Sequence, residues 1–415
     1  MTSNHFVLTA DALNEALPTM SMATRAIHAD DFYSNHRAIA PSMHVAVNYR
    51  YDRDPDNLVF MENVDLMSIQ QPNAPHDSHI YGRYTNPNTT RFESVARSLF
   101  GGHVVAYPSG LAAFHGLMAL LRPKRIFIDE GYHGVHRCIE YVRKLTGVQK
   151  LSFEELDQLQ AGDVLHVETP LHPTGEARNL AYYSAIAKKA GAYLTVDATF
   201  APPPLQDPLQ FGADIVMHSG TKYVGGHSDM LCGLLVLNDE GVQRGWLEEL
   251  QQDRRTTGSV MGSFEAWLGI RSLRTLDLRV TRQSQSATAL VTWISVQLKD
   301  PESLVGEMVE KVAHASLQED DLKDGWLKKQ MPNGFGPVFS IWMKREDHAR
   351  RLPSRLYVFQ HATSLGGVES LMEWRAMSDK GRDPQVMRVS CGLESVEDMK
   401  KDILQGLESL QKDFP

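Results

Sequence analysis

Between residue 66 and about residue 260, short apolar runs alternate with helical runs, and that order restricts the chain to an α/β sheet. Strand-like runs fall at 125–129, 163–168, 193–197, 214–217 and 232–237, separated by amphipathic stretches such as 180–190. Runs that are apolar throughout, rather than at every second residue, mark strands buried on both faces, as in a mostly parallel sheet covered by helices. Such sheets build their sites beyond the carboxyl ends of the strands. The residues that directly follow each run therefore carry the functional information.

After the run at 214–217 comes His218-Ser219-Gly220-Thr221-Lys222. A lysine set there among hydroxyls and glycines can form an imine with an aldehyde cofactor, and Ser219 and Thr221 suit a phosphate. Taken alone, such a segment is usually a solvated loop. The preceding strand ends in Asp197, an acid able to pair with a pyridine nitrogen or simply to cap a helix. Ser109-Gly110-Leu111-Ala112-Ala113 opens an apolar helical run to Leu121, and small residues at a helix start leave bare N–H groups that attract an anion. Tyr81-Gly82-Arg83 offers a phenol and a guanidinium in a Pro/Asn-rich loop, where arginine favours bidentate phosphate contact. A lysine for the imine, an acid for the ring nitrogen and a phosphate cradle are what a protein contributes to pyridoxal phosphate (PLP) chemistry.

In this order the segments resemble the Cys/Met-metabolism family of PLP enzymes, which includes cystathionine γ-synthase, cystathionine and methionine γ-lyases, cystathionine β-lyase and the O-acetylhomoserine sulfhydrylases. The anchors are Tyr81-x-Arg83-x-x-Asn86-Pro87, Ser109-Gly110-Leu111, Asp129-x-x-Tyr132-x-Gly134, Glu168-x-Pro170-x-x-Pro173-Thr174 and Val196-Asp197-x-Thr199-Phe200. They continue with His218-Ser219-x-Thr221-Lys222, Ser364-Leu365-Gly366-Gly367-x-Glu369 and Met387-Arg388-Val389-Ser390, so the likeness spans nearly the whole chain.

The resemblance implies a fold-type I PLP-dependent transferase, with a large domain on a mostly parallel sheet and a smaller α+β C-terminal domain. The sequence pattern divides the chain into an N-terminal arm over 1–65, a PLP-binding domain over 66–262 and a C-terminal domain over 263–415 that includes the linking helices. Carried over residue by residue, the resemblance implies that Lys222 forms the imine and then moves protons, and that Asp197 pairs with the pyridine nitrogen. Ser109, Gly110, Leu111, Ser219 and Thr221 would hold the phosphate, helped by Tyr81 and Arg83 from a neighbouring subunit of a homotetramer. Tyr132 would stack on the ring and assist proton transfer, with Glu168, His172 and Thr199 also on the cofactor. Arg388 would clamp the substrate α-carboxylate, with Thr363 and Ser364 beside it.

Departures from the family pattern lie toward the substrate. His172 stands where the family has an asparagine near the cofactor's ring oxygen. It reads either as a substitute neutral donor or as a group titrating near neutral pH. The arm's Ser/Thr-rich segment is aliphatic here, at Pro41-Ser42-Met43-His44-Val45, and Glu373-Trp374-Arg375-Ala376-Met377-Ser378-Asp379 replaces the usual run after Leu371. Thr363 stands where lyases often carry a glutamate.

The expected activity is γ-replacement on an O-activated L-homoserine, with O-acetyl-L-homoserine foremost, joining Cγ to a thiol or to a carbon or amine nucleophile. The alternatives are a γ- or β-lyase and, more remotely, a non-catalytic binding protein. Composition is compatible and excludes other classes. The net charge of -9 argues against nucleic acid as a partner. Three scattered cysteines, Cys138, Cys232 and Cys391, indicate neither a disulfide framework nor a metal site and suit a reducing, cytoplasmic compartment. The first twenty residues do not read as a secretion signal, and no apolar run approaches membrane-spanning length.

Overall fold

A computed structural model of the chain describes residues 9–33, 38–58, 60–63 and 79–415. The expected arm, 1–65, lies partly outside these residues. Within it stand two short helices, α1 (Ala10–Ala16) and α2 (Met22–His28), each started by a hydroxyl, Thr9 or Ser21, that accepts a first-turn N–H. Two turns carry too little periodicity to register in a sequence pattern.

From α3 (Pro87–Phe100) onward the expected alternation holds. The strands are β1 (His103–Tyr107), β2 (Arg125–Phe127), β3 (Gln149–Leu151), β4 (Val164–Glu168), β5 (Tyr193–Asp197), β6 (Ile215–His218) and β7 (Gly233–Leu237). They assemble in the order β1-β7-β6-β5-β4-β2-β3. Neighbours from β6 through β3 run parallel, whereas β7 is antiparallel to both β6 and β1. Helices α4 (Gly110–Leu121), α5 (His133–Thr146) and α6 (Leu180–Ala190) connect them. Sequence reading passes over β1 and β3. The latter is three residues long and largely exposed, with no apolar run to detect.

Alternate residues of the strands enter two different cores. Val104, Ala106, Leu165, Val167, Val216, Leu234 and Val236 pack on one face, while Val105, Tyr107, Val164, Ile215, Met217, Leu235 and Leu237 pack on the other. A sheet with helices on both faces follows, and it explains why these strands read as continuous apolar runs. Each such aliphatic contributes about 1.5–3 kcal/mol by leaving water.

The stretch 263–298 forms two helices, Ser263–Leu273 and Leu276–Gln297. The first packs on α3, and the second reaches a four-stranded antiparallel sheet of β8 (Val309–Ala313), β9 (Val338–Met343), β10 (Leu371–Trp374) and β11 (Val386–Ser390), in the order β10-β11-β9-β8. A core of Leu290, Ile294, Phe339, Ile341, Val389 and Leu407 joins this sheet to Leu276–Gln297 and to the final helix, Val396–Asp413.

Parallel register sets the base of the site. Glu168 pairs with Asp197, and Asp197 with Met217, so the carboxyl ends of β4, β5 and β6 lie abreast.

Candidate active site

A cavity of about 350 Å³ opens above those three strand ends. Lys222 reaches it from the loop after β6, Asp197 and Glu168 from their strand ends, Ser109 to Leu111 from the start of α4, and Arg388 from β11. Tyr132, His172, Thr199, Ser219, Thr221, Thr363 and Ser364 complete the part of the wall that the sequence singles out. Tyr81 and Arg83 are not in it. Within its own chain the Arg83 guanidinium donates to the Arg255 carbonyl at 2.7 Å, and Tyr81 is 42% exposed.

At one end, Ser109 caps α4 by accepting the Ala112 N–H at 3.1 Å. The N–H groups of Gly110 and Leu111 lie in the first turn, where no intrahelical acceptor exists. Glycine is required at 110, because a Cβ there would come within 2.9 Å of the Ser219 side chain. The helix start and the Ser219 loop are thereby brought together. Thr199 ties this loop to the next strand, its hydroxyl accepting from Ser219 N–H at 2.8 Å and donating to Asp197 Oδ1 at 2.5 Å. The Thr221 hydroxyl turns to the backbone of Cys232, accepting its N–H at 3.1 Å and donating to its carbonyl at 3.3 Å.

Two carboxylates occupy the floor. Burial, reinforced by the neighbouring Asp197, raises the Glu168 carboxyl to about 8, and burial also raises Asp197. Glu168 accepts backbone N–H groups from Tyr132 and His172, both at 2.7 Å, and so fixes the two segments that carry those rings. The rings meet edge to face at 5.8 Å. Burial pushes the Tyr132 phenol up, which keeps it protonated.

At the other end, Lys222 Nζ donates to Ser364 Oγ at 2.6 Å. Burial and then the Arg388 charge lower the lysine to about 8. Ser364 holds a left-handed backbone, φ 82°, which presents its hydroxyl to Lys222 and its carbonyl to Arg388 at 2.5 Å. Gly366, φ 87°, follows where a Cβ would strike the Lys222 backbone at 2.7 Å. Arg388 Nη1 lies 3.0 Å from His172 Nε2. A guanidinium only donates, so Nε2 accepts and the ring proton sits on Nδ1. Burial, Arg388 and Arg375 hold His172 well below its ordinary value, so the ring is neutral at physiological pH, in keeping with the neutral-donor reading.

Sequence reasoning did not assign roles to Glu373, Arg375, Asp379 and His133. Glu373 pairs with Arg388 at 2.5 Å and with Arg375 at 2.6 Å, and Arg375 pairs with Asp379 at 2.5 Å. For the first three the only signal in the sequence was that the segment 373–379 departs from its family's pattern, and His133 carried none.

The donor set fits PLP: first-turn N–H groups and the Ser219 hydroxyl for a phosphate, a buried acid at a strand end for a ring nitrogen, and a lysine of lowered basicity for the aldehyde. Fold and pocket together define a fold-type I PLP-dependent enzyme. The model of the family described as Cys/Met metabolism PLP-dependent enzyme matches residues 23–408, and the chain belongs to that family. It is 31% identical to the cystathionine gamma-lyase of Bacillus subtilis (strain 168) over 367 residues, covering 83% of this chain and 93% of that protein. To the cystathionine gamma-synthase of Mycobacterium tuberculosis it is 34% identical over 347 residues, covering 79% and 86%. The crystal structure of yeast cystathionine gamma-lyase superposes with a TM-score of 0.81 at 27% identity, covering 95% and 99%. The chain is thus a PLP-dependent enzyme of cystathionine γ-synthase type, from a family that performs substitution and elimination on amino-acid side chains. Among the described residues no helix is long and apolar enough to cross a membrane, and no cluster of side chains is arranged to hold a metal.

Proposed function

We propose that the enzyme catalyses γ-replacement on an O-activated L-homoserine, O-acetyl-L-homoserine foremost, joining Cγ to a thiol or to a carbon or amine nucleophile. The observation that carries this reading is the Lys222–Ser364–Arg388 contact set. It places an amine that loses its proton near neutral pH beside a guanidinium suited to an α-carboxylate. PLP, when bound, supplies the electron sink that makes the Cα and Cβ protons removable.

The chain's own residues do the rest. Ser109, Gly110, Leu111, Ser219 and Thr221 would hold the phosphate, Thr221 through a rotated hydroxyl because its N–H donates to the Cys232 carbonyl. Asp197 pairs with the ring nitrogen, with Thr199 holding its carboxylate in place. Lys222 takes the Cα proton and returns protons at the end of the cycle, a role worth about 10²–10⁴-fold for a placed acid–base group. Tyr132, kept protonated, donates toward the leaving group. Arg388 orients the amino acid, Thr363 and Ser364 line its path, and Glu168 and His172 support the ring side of the pocket.

Among the described residues the carboxylates that line the cavity are Glu168 and Asp197, both at the cofactor end. The position of Tyr81 and Arg83 outside their own pocket supports a site completed by a neighbouring subunit, which needs at least a dimer, and the family resemblance extends this to a homotetramer. The same reading keeps the division into 1–65, 66–262 and 263–415 and a cytoplasmic location.

Incubation of the holoenzyme with O-acetyl-L-homoserine tests the proposal. Acetate release that depends on an added thiol, amine or β-keto acceptor is the expected result. Rapid 2-oxobutanoate formation without acceptor would instead assign a lyase.

A further inference from the structure

The segment that departs from the family pattern becomes, in three dimensions, a buried ladder of alternating charge at the substrate end of the pocket. Antiparallel register sets Glu373 of β10 directly across from Arg388 of β11. Arg388 Nη2 pairs with Glu373 Oε2 at 2.5 Å. The same oxygen takes Arg375 Nη1 at 2.6 Å, and Arg375 Nη2 takes Asp379 Oδ2 at 2.5 Å. Ser378 Oγ donates to the remaining Glu373 oxygen at 2.9 Å. Asp379 also meets His133 at 2.5 Å and, more distantly, Arg382 at 3.7 Å. The four ladder residues are 1–5% exposed, and Arg375, Arg388, Ser378 and His133 line the cavity.

We propose that this ladder limits the pocket to one ligand carboxylate, bound at Arg388, and that Glu373 thereby restricts the second substrate to an uncharged nucleophile. The inference rests on the reading of Arg388 as the α-carboxylate clamp. Arg375 has both terminal nitrogens on internal carboxylates, so it has no open fork for a ligand. Arg388 commits Nη2 to Glu373 and to the Ser364 carbonyl. Nη1, now against the neutral His172 ring, and Nε remain for a substrate. Each guanidinium that lines the cavity is matched by a ladder carboxylate, and Arg382, 3.7 Å from Asp379, does not line it, so a second ligand carboxylate finds no unmatched guanidinium there. Phe200, Leu231, Thr363 and Leu365 add uncharged wall to the cavity.

A matched pair of unreactive amino acids reads this directly: L-2-aminoadipate and its side-chain amide, L-homoglutamine, which share a shape and differ by one charge. Their dissociation constants for the holoenzyme are measured by calorimetry. Homoglutamine is expected to bind at least about tenfold more tightly. Glu373→Gln and, independently, Asp379→Asn remove one negative charge each and are expected to narrow the ratio to about threefold or less. Equal binding by the wild type overturns the proposal, as does an unchanged ratio in both folded variants. The wild-type ratio decides even where neither variant folds. Failure of the γ-replacement reading is read separately, as absence of acetate release from O-acetyl-L-homoserine, and leaves this ratio interpretable.

Discussion

Lys222 Nζ donates to Ser364 Oγ at 2.6 Å, across 142 positions of sequence and from one sheet to the other. The contact joins the two sheets at the point where chemistry is placed. The lysine follows the large sheet, whereas the serine's carbonyl belongs to the Arg388 environment of the small one. A shift of one sheet against the other would therefore separate Lys222 from Ser364 and Arg388.

The lowered basicity of Lys222 predicts how the apoenzyme takes up its cofactor. A free lysine releases its proton near 10.4, so its reactive neutral amine is scarce at neutral pH. Here burial and Arg388 bring the value to about 8, and the neutral form should accumulate from about pH 7 to about pH 9. The rate of PLP uptake, followed by visible absorbance, is expected to rise through that window and then level. A rate still climbing beyond about pH 10, as for an ordinary lysine, would contradict the assignment.

Glu168 predicts an unusual stability profile for the apoenzyme. Its folded carboxyl is raised to about 8 from an ordinary 4.5, so it contributes stability at low pH that is lost as pH rises through the folded value. Glu168→Gln should be less stable at about pH 5, by about 1–3 kcal/mol, because the amide cannot accept both the Tyr132 and His172 N–H groups. Between about pH 5 and about pH 9 its stability should nevertheless fall less than that of the wild type. Denaturant unfolding at several pH values checks this, and parallel profiles for the two proteins would refute it.

Arg388→Lys separates binding from chemistry. A lysine keeps the charge but loses the fork that serves Glu373, Ser364 and a carboxylate together. The expected result is an increase of about 10–100-fold in KM for the amino-acid substrate, with kcat changed only a few-fold. A fall confined to kcat would place Arg388 in the chemical step instead.

What the sequence disclosed and what it withheld divide along a physical line. Lys222 and Asp197 were legible because each stands at or just past the end of a continuous apolar strand run, where such sheets place their sites, and the Ser109 to Leu111 turn because its small residues open an apolar helical run. The strands themselves were legible because both faces are buried. β3 was not, being short and exposed, nor were the arm's two helices, which are too brief to show a period. The ladder stayed hidden for another reason. Glu373 and Arg388 lie 15 residues apart and meet only through the antiparallel register of β10 and β11, which no local pattern announces. His133 is farther still, reaching Asp379 from the opposite sheet's connecting helix. For His172 the sequence left two readings open, and burial beside two guanidiniums bears on the choice, since it favours the neutral ring.

The proposed sharing of active sites between subunits gives a prediction that needs no structure of the assembly. Arg83 lies outside its own pocket, on a loop bonded to the Arg255 carbonyl, and is proposed to serve the phosphate of a neighbouring subunit. Arg83→Ala should then weaken PLP retention by about tenfold or more, the loss of one charge-assisted phosphate contact. Lys222→Ala should lower activity by on the order of 10³-fold or more. Each variant alone is impaired, but a mixed dimer holds one site with Lys222 from one chain and Arg83 from the other, both intact. Unfolding and refolding the two variants together should thus restore roughly a quarter of wild-type activity: about half of the dimers would be mixed, each with one of two sites whole. Activity no higher than the sum of the separate variants would place Arg83 in its own subunit's site or in none.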